Sequence, residues 1–122
     1  MMASLDVGTP RELDIAIVGA GASGVILATA LARRPEAFSV ALIDPTPGRG
    51  LAYGAPDPRH LLNTRVGNMS VFPDAPEDFL TWLNAREVNG AAWSTEDFAP
   101  RSLYGDYIER RLADLRAGLS LA

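Results

Sequence analysis

Cysteine is absent from the 122-residue chain, and histidine occurs once, at His60. The first absence excludes disulfides, thiolate zinc sites and cysteine nucleophiles. The second leaves no His-rich metal site, so no metal is expected. Lysine is missing as well: the eleven basic residues are all Arg, set against 15 Asp and Glu for a net charge of −4. An acidic chain without a basic cluster argues against a nucleic-acid partner. No internal repeat and no low-complexity segment is present. What remains is 48% hydrophobic and 21% charged residues, enough apolar side chains for a folded core within the length of one small domain.

One long uncharged run needs separate treatment. Ile15 to Ala32 is 18 residues without a charge, the lower edge of membrane-spanning length. Its end, Ala28 to Ala32, also imitates a signal-peptide cleavage site. The segment before it carries Asp6, Glu12 and Asp14 against Arg11, whereas a secretory leader begins net basic. Gly19, Gly21 and Gly24 interrupt the run near its start. A cytoplasmic chain with no membrane partner is the expectation.

Residues 1–12 read as a flexible leader, with Gly8 and Pro10 as breakers. Leu13 to Val18 is short, apolar and rich in β-branched residues, the pattern of a strand buried on both faces. Ser23 to Arg34 follows as a helix stopped by Pro35, and Phe38 to Ile43 as a second strand ending at Asp44. Strand, glycine turn, helix and strand make the first half of a parallel α/β sheet (13–44). Segment 45–76 holds six of the nine prolines and four of the eleven glycines. A long irregular excursion of this kind in a compact domain reads as an ordered binding loop. Two helices are predicted in 76–117. One spans Pro76 to Ala85, with Phe79, Leu80, Trp82 and Leu83 inward. The other spans Ser102 to Ala117, with Ser102 as cap and Gly118 past its end. Leu119 to Ala122 reads as the start of a third strand.

Gly19-Ala20-Gly21-Ala22-Ser23-Gly24 is a G-x-G-x-x-G directly after a strand and opening a helix, and Asp44 ends the next strand 20 residues later. That context is the dinucleotide fingerprint. Gly19 permits the tight turn, Gly21 lets a pyrophosphate approach the backbone, and Gly24 lets the helix pack closely on the sheet. The amides of Ala22 and Ser23 sit at the positive end of the helix dipole and suit phosphate oxygens. Asp44 can accept ribose hydroxyls and would repel a 2′-phosphate, which disfavours NADP at this site. The plainer alternative is a glycine turn that only packs strand on helix. The nucleotide itself is harder to read. About 75 residues separate Asp44 from the next predicted strand, a spacing closer to two-domain flavoproteins than to a simple NAD dehydrogenase.

Ile15 to Gly24 (IAIVGAGASG), Asp44-Pro45 and Gly48 to Gly54 (GRGLAYG) together resemble FAD/NAD(P)-binding flavoproteins related to flavin-containing and N-hydroxylating monooxygenases. The likeness is greatest to a bacterial family of FAD/NAD(P)-binding proteins with a similar ordered series: His60 to Asn63 (HLLN), Met69-Ser70, Asp78 to Leu83 (DFLTWL) and Pro100 to Tyr107 (PRSLYGDY). The resemblance runs from about residue 13 to 117. It implies a Rossmann-like domain, incomplete at its C-terminal side, that binds FAD and belongs to a parent using NAD(P)H. Asp44 stands where many such proteins carry Glu. The missing cysteines set aside the disulfide reductases. By the same resemblance Met69 and Ser70 approach the flavin.

Four further residues lie in or beside these motifs. Arg49 reads either as a pyrophosphate or adenine contact or as a solvated loop Arg. Asn63 reads either as a flavin or ribitol contact or as a turn residue bonded to its own backbone. Arg101 suits a surface ion pair better than a phosphate, and His60 lacks the partners a catalytic role needs. No catalytic acid, base or nucleophile constellation is present, as suits a protein whose cofactor carries the chemistry. Trp82, Trp93, Tyr104 and Tyr107 are assigned to the core. The expected function is the FAD-binding portion of a flavin-dependent oxidoreductase. An NAD dehydrogenase fragment and a non-catalytic nucleotide-sensing module are the alternatives. The chain alone is expected to be inactive, to hold FAD weakly, and to self-associate through the unpaired edge of its first strand.

Overall fold

The computed structural model describes residues 13–36, 38–54, 57–87 and 92–118; the predicted leader and third strand lie outside them. β1 (Ile15–Val18) leads through the glycine turn into α1 (Ala22–Ala32) and then β2 (Val40–Ile43). The two strands pair in parallel, in register from Ile15 opposite Val40 to Val18 opposite Ile43. A single 3₁₀ turn over Val66–Asn68 punctuates the long middle segment, and α2 (Asp78–Arg86) and α3 (Arg101–Gly118) follow. The chain is an α/β unit, a partial Rossmann-like domain.

α1 begins after Gly21 and carries its good helix formers, Leu27, Ala28, Ala30, Leu31 and Ala32, in its second half. It ends ahead of Pro35, which disfavours helical geometry in the residue before it. Its last turn tightens, Arg33 and Arg34 donating to the carbonyls of Ala30 and Leu31. The buried Thr29 hydroxyl donates to the Val25 carbonyl at 2.8 Å, so this polar group does not oppose burial. The structure corrects the expectation that β1 is covered on both faces. Ile17 is buried under α1, yet Val18 is 83% exposed. Among the described residues the sheet has only β1 and β2, so no strand pairs with the outer edge of β1; the opposite face is covered at Ala41 of β2, 1% exposed, and open at Val18. Ser102 is corrected too: α3 starts one residue earlier, at Arg101, so Ser102 lies within the first turn. Gly118 is its final residue rather than a stop beyond it.

The core runs through successive layers: α1 packs on the sheet, α3 packs on α1, and α2 packs on α3. Tyr104, Tyr107, Ile108 and Leu112 of α3 are buried in one cluster with Phe79 and Leu83 of α2 and Val25 and Ala28 of α1. The Phe79 ring meets Tyr104 edge-on at 5.1 Å and Tyr107 at 4.9 Å, geometries that favour aromatic pairs beyond their burial. The middle segment sends Leu62, Val66 and Val71 into the same core. It is also stitched to the start of α3, where Leu62 donates to Ala99 O and Arg101 to His60 O. The DFLTWL, PRSLYGDY and HLLN segments thus pack or pair with one another; within this fold their visible work is structural.

Tyr107 anchors a polar network inside this core. Its hydroxyl donates to Asp78 Oδ2 at 2.6 Å and accepts from the Val71 amide at 3.1 Å. Arg111 closes the same carboxylate with a two-pronged pair at 2.9 and 3.0 Å. Burial first, then the hydrogen bond to Asp78, pushes the Tyr107 phenol up to about 12 from its ordinary 10.0. The folded state therefore holds the phenolic proton more tightly than the unfolded chain does. The resulting stability is complete below pH 10 and is lost as pH rises through 12. Urea midpoints are expected to fall across this interval, and to fall less steeply in Tyr107→Phe. Parallel pH profiles for the two proteins would contradict the assignment.

Candidate functional site

A cleft of about 500 Å³ opens where β1 hands over to α1. Its floor is the glycine turn, and its far wall is the segment from Arg49 to Tyr53. The size suits a small-molecule site. Gly19 leaves β1 with φ of 97°, a left-handed conformation that favours glycine. Its amide donates to Ile43 O at 2.9 Å, continuing the parallel ladder one step past the strands. The helix then starts abruptly: Gly21 offers no capping side chain, and the first turn holds no acidic residue. The first intrahelical bond runs from the Val25 amide to Gly21 O. The amides of Ala22, Ser23 and Gly24 donate to no acceptor among the described residues. They meet the cleft with the positive end of the helix dipole and no carboxylate of their own to neutralise it.

Gly24 has the role its place in the fingerprint predicts. A Cβ there would lie 2.0 Å from Gly19 O and 3.5 Å from Ile17 Cγ2, so α1 can sit against the turn only with glycine at this position. Gly21 faces a second glycine: a Cβ on it would lie 3.3 Å from Gly50 Cα. The loop after β2 folds back over the fingerprint, Gly48 donating to Ala20 O at 2.6 Å, with Gly48 and Gly50 at φ of 131° and 68°.

Asp44 ends β2 as predicted, and its carboxylate already has two protein partners. Oδ2 accepts from the Ala20 amide at 2.9 Å and Oδ1 from the Thr46 amide at 2.8 Å. The Ala20 bond first, then that from Thr46, holds its carboxyl below the ordinary carboxylate value. Asp44 therefore ties the glycine turn to the loop after β2; it is not among the residues that line the cleft. The stability it adds is present above the ordinary carboxylate range and is lost as pH falls through the lowered value. Asp44→Ala is expected to lower the melting temperature by several degrees at neutral pH, with the gap to wild type closing in acid. A constant gap at all pH values would contradict this.

Arg49 is held by the protein itself. Its guanidinium pairs with Asp106 and with Glu109 (Nε to Oε1, 2.9 Å), and donates from Nη1 to the Ser102 carbonyl at 3.2 Å. It lines the cleft while all of its nitrogens face α3. Asn63 is exposed and does not line the cleft. Arg101 donates to the Leu61 carbonyl, and Ser70 closes a turn through Phe72 and Ala75. Sequence reasoning left Val18, Leu27, Leu51 and Tyr53 out of the site, although all four line the cleft. The Gly48-x-Gly50 spacing was the signal for that wall. Among the described residues there is no group of acidic or histidine side chains that could hold a metal, and no helix long and apolar enough to cross a membrane.

A family model described as FAD-NAD(P)-binding matches residues 16–121, from β1 through the glycine turn, the folded-back loop and both later helices. No curated protein matches the chain.

Proposed function

The chain belongs to the FAD-NAD(P)-binding family, and from that membership and the cleft we propose that it is the FAD-binding portion of a bacterial flavin-dependent oxidoreductase related to the monooxygenases. That it is a dinucleotide-binding domain follows from the family. The choice of FAD and of redox chemistry is our reading. The observation that carries it is the uncapped start of α1 over a cleft walled by a glycine-rich loop. Polar amides and a helix dipole point into that space, and no protein anion occupies it.

In this reading the amides of Ala22 and Ser23 take the pyrophosphate. Asp44, held on the Ala20 amide beside the glycine turn, is assigned to the ribose hydroxyls. Val18, Leu27 and Leu51, exposed at 83%, 48% and 101%, give an apolar rim on which the flat parts of a dinucleotide can shed water. FAD, when bound, supplies a two-electron acceptor for hydride from NAD(P)H and, once reduced, a route to O2. The side chains lining the cleft include no acid or histidine base, so the chain's part is to bind and orient. The open edge of β1 supports self-association of copies, which sedimentation would register, and the reading goes with a cytoplasmic location.

Calorimetric titration of the chain with FAD and with NAD⁺ tests the choice. Tighter binding of FAD, with a flavin spectrum shifted from that of free FAD, is expected. Binding of NAD⁺ but not FAD would overturn the flavin reading in favour of an NAD-dependent one. A bound dinucleotide that NADH and NADPH cannot reduce, even in the longest form of the protein, would favour a sensing module.

A further inference from the structure

The far wall of the cleft is held by something outside the glycine fingerprint. Residues 48–53 lie between the glycine turn and one face of α3. On the turn side Gly50 sits against Gly21, and Gly48 donates to Ala20 O. On the helix side three contacts converge. A Cβ on Gly48 would lie 2.9 Å from Glu109 Cγ. A Cβ on Gly105 would lie 2.6 Å from Tyr53 O and 2.7 Å from Arg49 Nη1. The Arg49 guanidinium fills the notch this glycine leaves and is clamped by Asp106, Glu109 and the Ser102 carbonyl. Glycine within a helix is less favourable than alanine; at residue 105 it is what admits the loop.

We propose that Asp106 and Glu109, acting through Arg49, are positioning residues for the dinucleotide: they fix the 48–53 wall at the distance from the glycine turn that the ligand requires. The proposal rests on the cleft being the dinucleotide site. Asp106 is the stronger member, because it also receives Arg86 at 3.3 Å and so links α2 to the wall. The Arg49–Asp106 pair is partly shielded, the two side chains being 29% and 32% exposed, so its geometry is better defined than that of a freely solvated pair; Glu109 is the more exposed partner.

The test separates this role from direct ligand contact and from general stability. In the ligand-free chain, Asp106→Asn is expected to speed exchange of the Gly48 amide about tenfold, as befits loss of a charge-assisted bond. Arg33→Ala, which removes the exposed pair with Asp74 on another face, leaves that exchange unchanged. With FAD as probe, Asp106→Asn is expected to raise Kd about tenfold and Arg49→Met by a similar factor. The double variant is expected to be no worse than either single one, because both act through one strut. Gly48 exchange unaltered in Asp106→Asn would overturn the strut. Faster exchange with an unchanged or lower FAD Kd would overturn the positioning role, and would mean that a released Arg49 is free to meet the ligand itself. A wild-type chain that binds neither FAD nor NAD⁺ would overturn the functional reading and the positioning role, while the exchange result, read without ligand, would still decide whether the strut holds the wall.

Discussion

Gly24→Val is expected to abolish dinucleotide binding and to destabilise the fold together. The Cβ would stand 2.0 Å from the Gly19 carbonyl oxygen and 3.0 Å from its carbon, backbone atoms with no rotamer to yield. α1 would have to lift from the turn, separating Val25 and Ala28 from Ile17 and carrying its free amides out of the cleft. Gly21→Val makes the informative contrast. There the nearest atom is Gly50 Cα at 3.3 Å, in a loop that can give by a few tenths of an ångström. The fold is expected to survive with a nearly unchanged melting temperature while the valine branches occupy the cleft. Thermal melts and FAD titrations on the two variants measure both effects. A Gly24→Val protein that melts like wild type would contradict the packing, and a Gly21→Val protein that binds FAD like wild type would contradict the site.

Phe79→Ala is expected to cost about 3–5 kcal/mol of stability. The ring is fully buried and contacts Tyr104, Tyr107 and Trp82 at centroid distances of 5.1, 4.9 and 6.2 Å. Small domains have about 5–15 kcal/mol in total, so this one truncation takes a large part of what holds α2 to α3. Its effect should reach the cleft, because Tyr104 also meets Tyr53, a wall residue, at 4.8 Å. Urea unfolding of Phe79→Ala would show the loss directly; a change below about 1 kcal/mol would mean that the aromatic cluster collapses around the vacancy without penalty.

These two sites mark what the sequence made legible and what it did not. The glycine turn, α1 and the strand ending at Asp44 are local features whose period and spacing lie within about 30 residues, and there the sequence and the fold agree in kind. The exposure of Val18 was not legible, because apolar periodicity records what a strand can bury and not whether a neighbour covers it. The two hydrogen bonds that Asp44 accepts from the Ala20 and Thr46 amides escaped for a related reason: the fingerprint names an acidic residue for a ligand, and nothing local shows that backbone amides claim it first. Arg49 is the clearest case. Its partners Asp106 and Glu109 lie 57 and 60 residues away, beyond any spacing rule. One signal was nevertheless present: Gly105 lies inside the predicted helix beside its apolar stripe, and an isolated glycine in a helix points to a packing or functional reason. The later ordered motifs were legible as segments but not in their role, since rings and carboxylates that recur together suit a core network as well as a cofactor platform.

The central claim is that the nucleotide lies against the amides of Ala22 and Ser23, between the glycine turn and the 48–53 wall. A backbone-amide NMR titration of the chain with FAD tests it most directly. The account predicts that the largest shift changes fall on residues 19–24 and 48–53, with the 66–76 segment and the outer face of α2 unmoved. Saturable shifts confined to that second region, with the amides of Ala22 and Ser23 unchanged, would contradict it.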